Sequence, residues 1–140
     1  MNYSHEYAEL VAKLFAGQKQ EPVRKKFIEL SDEFSVLNVA ESLKLSRKYR
    51  CEIKNCYSNC LKIATRDSGY QYVEGYGLSV IPIEHAWLVN ENSEVIDPTW
   101  VLTGEHFTTD YFGVRVPIDK VELNGFAPGW LKYILENIEG

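Results

Sequence analysis

Hydrophobic residues in the first part of the chain recur at helical spacing. This pattern predicts helices over Ser4–Phe15, from Pro22 to about Leu30, and from an Asn38 cap onward. The Asn38-Val39-Ala40-Glu41 segment has the form of a capping box. A further helix is predicted from Cys56 to about Arg66, with Asn55 as its N-cap.

Beyond Gly69 the pattern changes to the alternation that is typical of strands. Strands are predicted from Tyr70 to about Leu78, from His85 to Val89, in the segment that ends at Asp97, and over Tyr111–Val116. The Gly75 and Gly77 positions indicate a bulge or a close backbone approach. A last helix is predicted from its apolar positions, with Pro128 near its start and Gly140 at its end: Trp130, Leu131, Ile134, Leu135 and Ile138. The fold class is therefore α+β, with N-terminal helices packed on an antiparallel sheet, a C-terminal helix, and a single domain over 1–140.

His85 and Asp97 belong to two predicted strands that flank the turn-forming segment Asn90–Ser93. His85 is placed at the start of the first strand and Asp97 at the end of the second, so an antiparallel pairing brings them together. A carboxylate next to an imidazole fixes its tautomer and stabilises its charged form. The pair therefore indicates catalysis if a nucleophile lies nearby.

Cys56 is the candidate nucleophile because it is predicted in the first turn of a helix. Unpaired N–H groups and the positive end of the helix dipole favour a thiolate there, and the thiolate is the reactive form. The alternative for any cysteine is a small buried hydrophobic residue, and this interpretation is preferred for Cys51 and Cys60. A zinc site at Cys56 and Cys60 with His85 or His106 is a further alternative, but the spacing is not that of a zinc ribbon. Neither a metal nor another cofactor is expected.

The chain has 140 residues and a formal net charge of −5, with 45% hydrophobic residues. A nucleic-acid-binding protein would be expected to carry a basic excess, so nucleic acid is not an expected partner. The sequence has no apolar run of membrane-spanning length and no signal-peptide pattern, which predicts a cytoplasmic protein without membrane contact. The odd cysteine count argues against a disulfide framework.

Four phrases between Asn55 and Trp100 resemble the transglutaminase-like branch of the papain-like cysteine enzymes. They are, in chain order, Cys56-Tyr57-Ser58-Asn59-Cys60, Tyr72-Val73-Glu74-Gly75-Tyr76, His85-Ala86-Trp87-Leu88-Val89 and Val95-Ile96-Asp97-Pro98-Thr99. Cys60 stands where this family more often has Ala or Ser. The phrases are similar to those of small bacterial and phage proteins of this type.

The resemblance implies a Cys-His-Asp triad of Cys56, His85 and Asp97 that acts on an amide or ester carbonyl through a thioester. The partner would be a protein, a peptide or a small amide, and the reaction hydrolysis or acyl transfer. The Cys56 backbone N–H is a natural oxyanion donor, and no second donor is assigned. The residues Trp87, Tyr76 and Trp100 are candidates for substrate contact, with core packing as the alternative for each. A non-catalytic binding or inhibitor protein on the same scaffold is the alternative function.

Overall fold

The computed structural model describes residues 21–78, 82–104, 110–121 and 129–137, and these form a mixed α+β fold around one antiparallel sheet. The helices are α1 (Glu21–Leu30), α2 (Val39–Lys48), α3 (Cys56–Arg66) and α4 (Gly129–Asn137). The strands are β1 (Ser31–Phe34), β2 (Gln71–Leu78), β3 (Pro82–Val89), β4 (Val95–Ile96) and β5 (Asp110–Arg115). Short 3₁₀ turns cover Trp100–Leu102 and Ile118–Lys120.

The five strands have the order β1-β5-β2-β3-β4, and each neighbouring pair is antiparallel. Strand β2 lies in the centre and pairs along its whole length with β3, so that Gly75 lies opposite His85. Strand β4 pairs with the far end of β3 through Leu88 and Val89. The predicted antiparallel pairing of the His85 and Asp97 segments is therefore confirmed.

Side chains that alternate along β2 and β3 divide the interior into two clusters. The first cluster packs the sheet against the helices and includes Phe27, Ile63, Tyr72, Leu88, Phe112, Trp130 and Ile134. The second cluster is formed by side chains on the other face of the same strands and by their neighbours. It includes Phe34, Val73, Trp87, Val89, Val95, Trp100 and Tyr111. His85 alternates with Trp87 on β3, and the two rings are 6.2 Å apart. The prediction that they share one face is confirmed.

The helices begin where the sequence predicted them. Asn38 caps α2, because its Oδ1 accepts a hydrogen bond of 3.0 Å from the Glu41 backbone N–H. Helix α1 includes Pro22 in its first turn, as expected, and buries Phe27 in the first cluster. Helix α3 begins at Cys56, as predicted.

Two positions differ from the sequence prediction. Strand β1 was not predicted, because Ser31-Asp32-Glu33-Phe34 contains two adjacent charges and only Phe34 is buried. It is an edge strand that follows α1 without a linker and pairs with β5. His85 is the fourth residue of β3 and not its first, because pairing with β2 continues as far as Pro82.

A buried carboxylate joins the sheet to the C-terminal helix. Glu74 on β2 is fully buried, and its Oε1 accepts a hydrogen bond of 3.0 Å from the Trp130 backbone N–H in the first turn of α4. Its Oε2 accepts a hydrogen bond of 2.6 Å from the Tyr72 hydroxyl. An anion at a helix N-terminus satisfies N–H groups that the helix leaves unpaired. Burial raises the pKa of Glu74, and these hydrogen bonds oppose the rise.

Several predictions lie outside the described residues: the helix over Ser4–Phe15, His5, His106, Pro128, Ile138 and Gly140. None of the helices in the described part of the chain has the length and apolar character that crossing a bilayer requires.

Candidate active site

The three predicted catalytic residues lie together. His85 Nε2 is 2.9 Å from Asp97 Oδ2, and both side chains are buried. Asp97 follows β4 directly, so the β3–β4 pairing positions this contact. Cys56 is the first residue of α3, and its half-buried thiol lies close enough to His85 to help raise the pKa of that imidazole. Because Nε2 of His85 faces Asp97, Nδ1 is the ring nitrogen left for the thiol.

Asp97 is held by several hydrogen bonds besides the one to His85. Its Oδ2 also accepts from the Tyr111 hydroxyl at 2.8 Å. Its Oδ1 accepts from the backbone N–H groups of Trp100 at 2.9 Å and Thr99 at 3.2 Å. The Asp97 backbone N–H donates to Ser42 Oγ at 2.9 Å, which ties the residue to α2. A buried carboxylate with this many donors keeps its orientation.

His85 is poised to carry a proton at neutral pH. Burial by itself lowers the pKa of His85, but the Asp97 charge and hydrogen bond, together with the contact to Cys56, outweigh burial and raise it to about 9. An imidazolium beside a thiol is the arrangement that favours a thiolate nucleophile.

Two indole rings stand behind the imidazole. The Trp100 ring stacks on the His85 ring with their centroids 3.8 Å apart and their planes 14° apart. A Cβ atom at Gly77 would lie 2.4 Å from the Trp100 ring, and one at Gly113 would lie 2.8 Å from the Trp87 ring. Glycine at these two strand positions therefore gives the indoles the space they occupy. The close backbone approach predicted at Gly75 and Gly77 is confirmed at Gly75, where an added Cβ would meet the backbone of Phe112 and Gly113, while at Gly77 the neighbour is a side chain.

The three residues predicted to contact substrate are all buried in the structure. Trp87 packs between Phe34 and Tyr111 in the second cluster, and Tyr76 packs against aromatic rings of the first cluster. Trp100 covers His85. These positions favour packing for Trp87 and Tyr76 and positioning of the imidazole for Trp100, while contact with substrate stays a prediction.

Asn59 is a site residue that sequence reasoning missed. Its Nδ2 donates to the Glu52 carbonyl at 2.7 Å and to Thr99 Oγ1 at 2.9 Å, and its Oδ1 accepts from the Glu52 N–H at 3.1 Å. The buried amide thus ties the loop before Cys56 to the turn after Asp97. Its spacing of three residues from Cys56 was the available signal, since it places both on one side of the helix.

The prediction that Asn55 caps the Cys56 helix through its side chain is wrong. Asn55 has φ −128° and ψ 41°, and its side chain makes no cap hydrogen bond. Its Nδ2 instead donates to Glu52 Oε1 at 3.3 Å, because Glu52 lies three residues upstream within reach. The Asn55 side chain therefore takes none of the N–H groups of the first turn, where the Cys56 N–H lies.

The other two cysteines differ from Cys56 in their surroundings. All three are free thiols. Burial raises the pKa of Cys51 and raises that of Cys60 further, because Cys60 is completely enclosed. Among the described residues, no group of three or more His, Cys, Asp or Glu side chains could hold a metal ion.

Comparisons with known proteins identify no family for this chain. No protein-family model matches the chain, and neither a curated protein nor a solved structure matches it.

Proposed function

We propose that this protein is a transglutaminase-like cysteine enzyme that transfers the acyl group of an amide or ester to water or to an amine. The observation that carries the proposal is the continuous contact from the Cys56 thiol through the His85 imidazole to the Asp97 carboxylate. The sequence motifs that resemble the family contain the same three residues, in the chain order that the family has.

The proposed reaction begins with the Cys56 thiolate beside the His85 imidazolium. The sulfur attacks the carbonyl carbon, and the Cys56 backbone N–H at the start of α3 donates to the oxygen that becomes negative. The C–N bond then breaks, the amine leaves with the proton from His85, and a thioester remains. Neutral His85 next takes a proton from water or an amine, which attacks the thioester and releases Cys56.

Asp97 and Trp100 position His85 in this scheme. The Asp97 carboxylate stabilises the imidazolium and holds Nε2, and the Trp100 ring limits rotation of the imidazole. The Tyr111 hydroxyl fixes the carboxylate in turn. Each of these contacts keeps the proton donor at the thiol.

The test is the capture of an acyl-enzyme. Incubation with p-nitrophenyl acetate followed by peptide mass spectrometry should place one acetyl group on Cys56. Cys56→Ser should lose this acetylation, and the matched variant Cys51→Ser should keep it, because burial holds Cys51 as a thiol. Acetylation of Cys51 at the rate of Cys56, or no thioester at Cys56, would contradict the proposal.

A second candidate is a non-catalytic binding or inhibitor protein on the same scaffold. A ligand that binds only the folded state raises thermal stability without chemistry. N-acetyl peptide amides should then raise the midpoint of thermal unfolding equally in the parent and in Cys56→Ala. A rise confined to the parent would contradict this candidate.

A further inference from the structure

A second contact joins the segments that carry the nucleophile and the histidine, and it involves an exposed carboxylate. Glu84 precedes His85 on β3, and Tyr57 follows Cys56 on α3. The Tyr57 hydroxyl donates to Glu84 Oε1 at 2.9 Å. This bond places Glu84 on the surface beside the Cys56 end of α3.

Tyr57 lies next to Cys56 in the chain and contacts Glu84 through its hydroxyl. Burial raises the pKa of Tyr57 strongly, and the nearby Glu84 carboxylate raises it further. Tyr76, which lies opposite Glu84 across β2 and β3, has its pKa raised by burial and then by the Glu84 charge. The phenol is therefore a neutral donor that orients the carboxylate without neutralising it.

Glu84 is one of several exposed acids that form no ion pair with a described lysine or arginine. In the described ranges Glu29 pairs with Lys26, Asp32 with Arg115, and Glu136 with Lys120. Across the same ranges no lysine or arginine forms an ion pair with Glu84. An exposed carboxylate that a neighbouring donor holds in place can form a charge-assisted hydrogen bond with a ligand cation.

We infer that Glu84, oriented by Tyr57, binds a cationic group of the substrate, a primary ammonium or a guanidinium, close to the carbonyl that Cys56 attacks. This inference rests on the proposed function and names its substrate class: acyl groups with a basic side chain. The site discriminates by charge, so neutral analogues of the same length react more slowly and anionic ones more slowly still.

The first experiment measures the charge preference at Cys56 without requiring turnover. Two methanethiosulfonate reagents, one with a trimethylammonioethyl group and one with a sulfonatoethyl group, modify thiols at rates that peptide mass spectrometry can follow. In Glu84→Gln the ratio of the cationic to the anionic rate constant at Cys56 should fall about tenfold. Added salt should reduce the ratio in the parent, because the contact is exposed.

The matched control is Glu91→Gln, which makes the same charge change elsewhere. Glu91 is exposed in the turn at the far end of β3, seven residues and roughly 20 Å of strand from Glu84. The ratio in Glu91→Gln should equal that of the parent. Tyr57→Phe should lower the ratio less than Glu84→Gln does, since the carboxylate remains but loses its donor.

The second experiment uses acyl donors of one length and two charges. The p-nitrophenyl esters of 6-aminohexanoate and hexanoate should acylate Cys56 with a rate ratio that favours the ammonium in the parent. This preference should fall about tenfold in Glu84→Gln and stay in Glu91→Gln.

The two proposals fail in different ways. Equal charge ratios in the parent and Glu84→Gln would overturn the cation site, and acetylation of Cys56 by p-nitrophenyl acetate would still support the enzyme. A charge ratio that depends on Glu84 without any acyl-enzyme would support the cation site and overturn the proposed function.

Discussion

Two fully buried carboxylates, Glu74 on β2 and Asp97 directly after β4, have different roles because of their partners. Glu74 accepts from the Tyr72 hydroxyl and from the Trp130 N–H at the start of α4. Asp97 also accepts from a tyrosine hydroxyl and from backbone N–H groups, but its fourth donor is the imidazole of His85.

The two carboxylates differ in whether the groups that donate to them titrate near neutral pH. The donors to Glu74 do not titrate near neutral pH, so this carboxylate stabilises packing between β2 and α4. Asp97 acts on a group that does titrate, and it raises the pKa of His85 beside the Cys56 thiol. A buried charge therefore supports chemistry here because of its partner and not because of its burial alone.

The largest expected effect comes from Asp97→Asn. The amide keeps the shape and one acceptor oxygen, but it removes the charge that stabilises protonated His85. Acylation of Cys56 by p-nitrophenyl acetate should slow by about 10³-fold, within the range found for general acid–base groups. A rate within threefold of the parent would contradict the role given to Asp97.

Glu74→Ala should lower the stability of the protein and leave the acylation rate nearly unchanged. It leaves the Tyr72 hydroxyl and the Trp130 N–H buried without their acceptor, at a cost of about 3 kcal/mol in the free energy of unfolding. Acylation of the remaining folded protein should change less than threefold. Urea unfolding followed by tryptophan fluorescence measures the first quantity, and Glu74→Gln, which keeps an acceptor, is the control. Loss of acylation in the folded fraction would contradict the separation of the two carboxylates.

The dependence of stability on pH distinguishes the two regions further. The pKa of folded His85 is raised to about 9, so its stabilisation is complete below the unfolded value of about 6.5 and is lost as pH rises through about 9. About 3 kcal/mol of the free energy of unfolding should disappear over this window. Urea titrations at several pH values should show the decrease in the parent and in Glu74→Gln. The decrease should be absent in His85→Gln, and its persistence there would assign it to another group.

The smallest effect is expected from Tyr111→Phe. This change removes one hydrogen bond to Asp97 and keeps the ring in the second cluster. A single bond to a charged group contributes about 1.5–3 kcal/mol, but the other donors to Asp97 remain and should compensate in part. Acylation of Cys56 should therefore slow about three- to tenfold. An unchanged rate would mean that the backbone N–H groups alone hold the carboxylate.

The parts of this site that the sequence predicts are those set by local patterns. The Cys56 helix start, the His85 strand and the turn at Asn90–Ser93 each follow from neighbouring residues, and the turn fixes the strand pairing that joins His85 to Asp97. The α+β class follows from the change in hydrophobic period near Gly69.

The parts that the sequence does not predict depend on contacts between distant segments. Asn59 reaches Thr99 40 residues away, and Glu74 reaches Trp130 56 residues away. The predicted side-chain cap by Asn55 does not form, and the Asn55 Nδ2 donates to Glu52 Oε1. The burial of Glu74 could have been predicted from its position in the strand. It lies two residues from Tyr72 and two from Tyr76, so the three side chains share one face.

The most direct test of the central proposal is the rate of Cys56 alkylation by iodoacetamide between pH 5 and pH 9, in the parent and in His85→Ala. If Cys56 and His85 form a thiolate–imidazolium pair, alkylation of the parent should already be near its maximum at about pH 6. In His85→Ala the rate should rise only toward the range of an ordinary thiol, about pH 8.5. Superimposable profiles with the ordinary midpoint in both proteins would contradict the pair and, with it, the proposed enzyme.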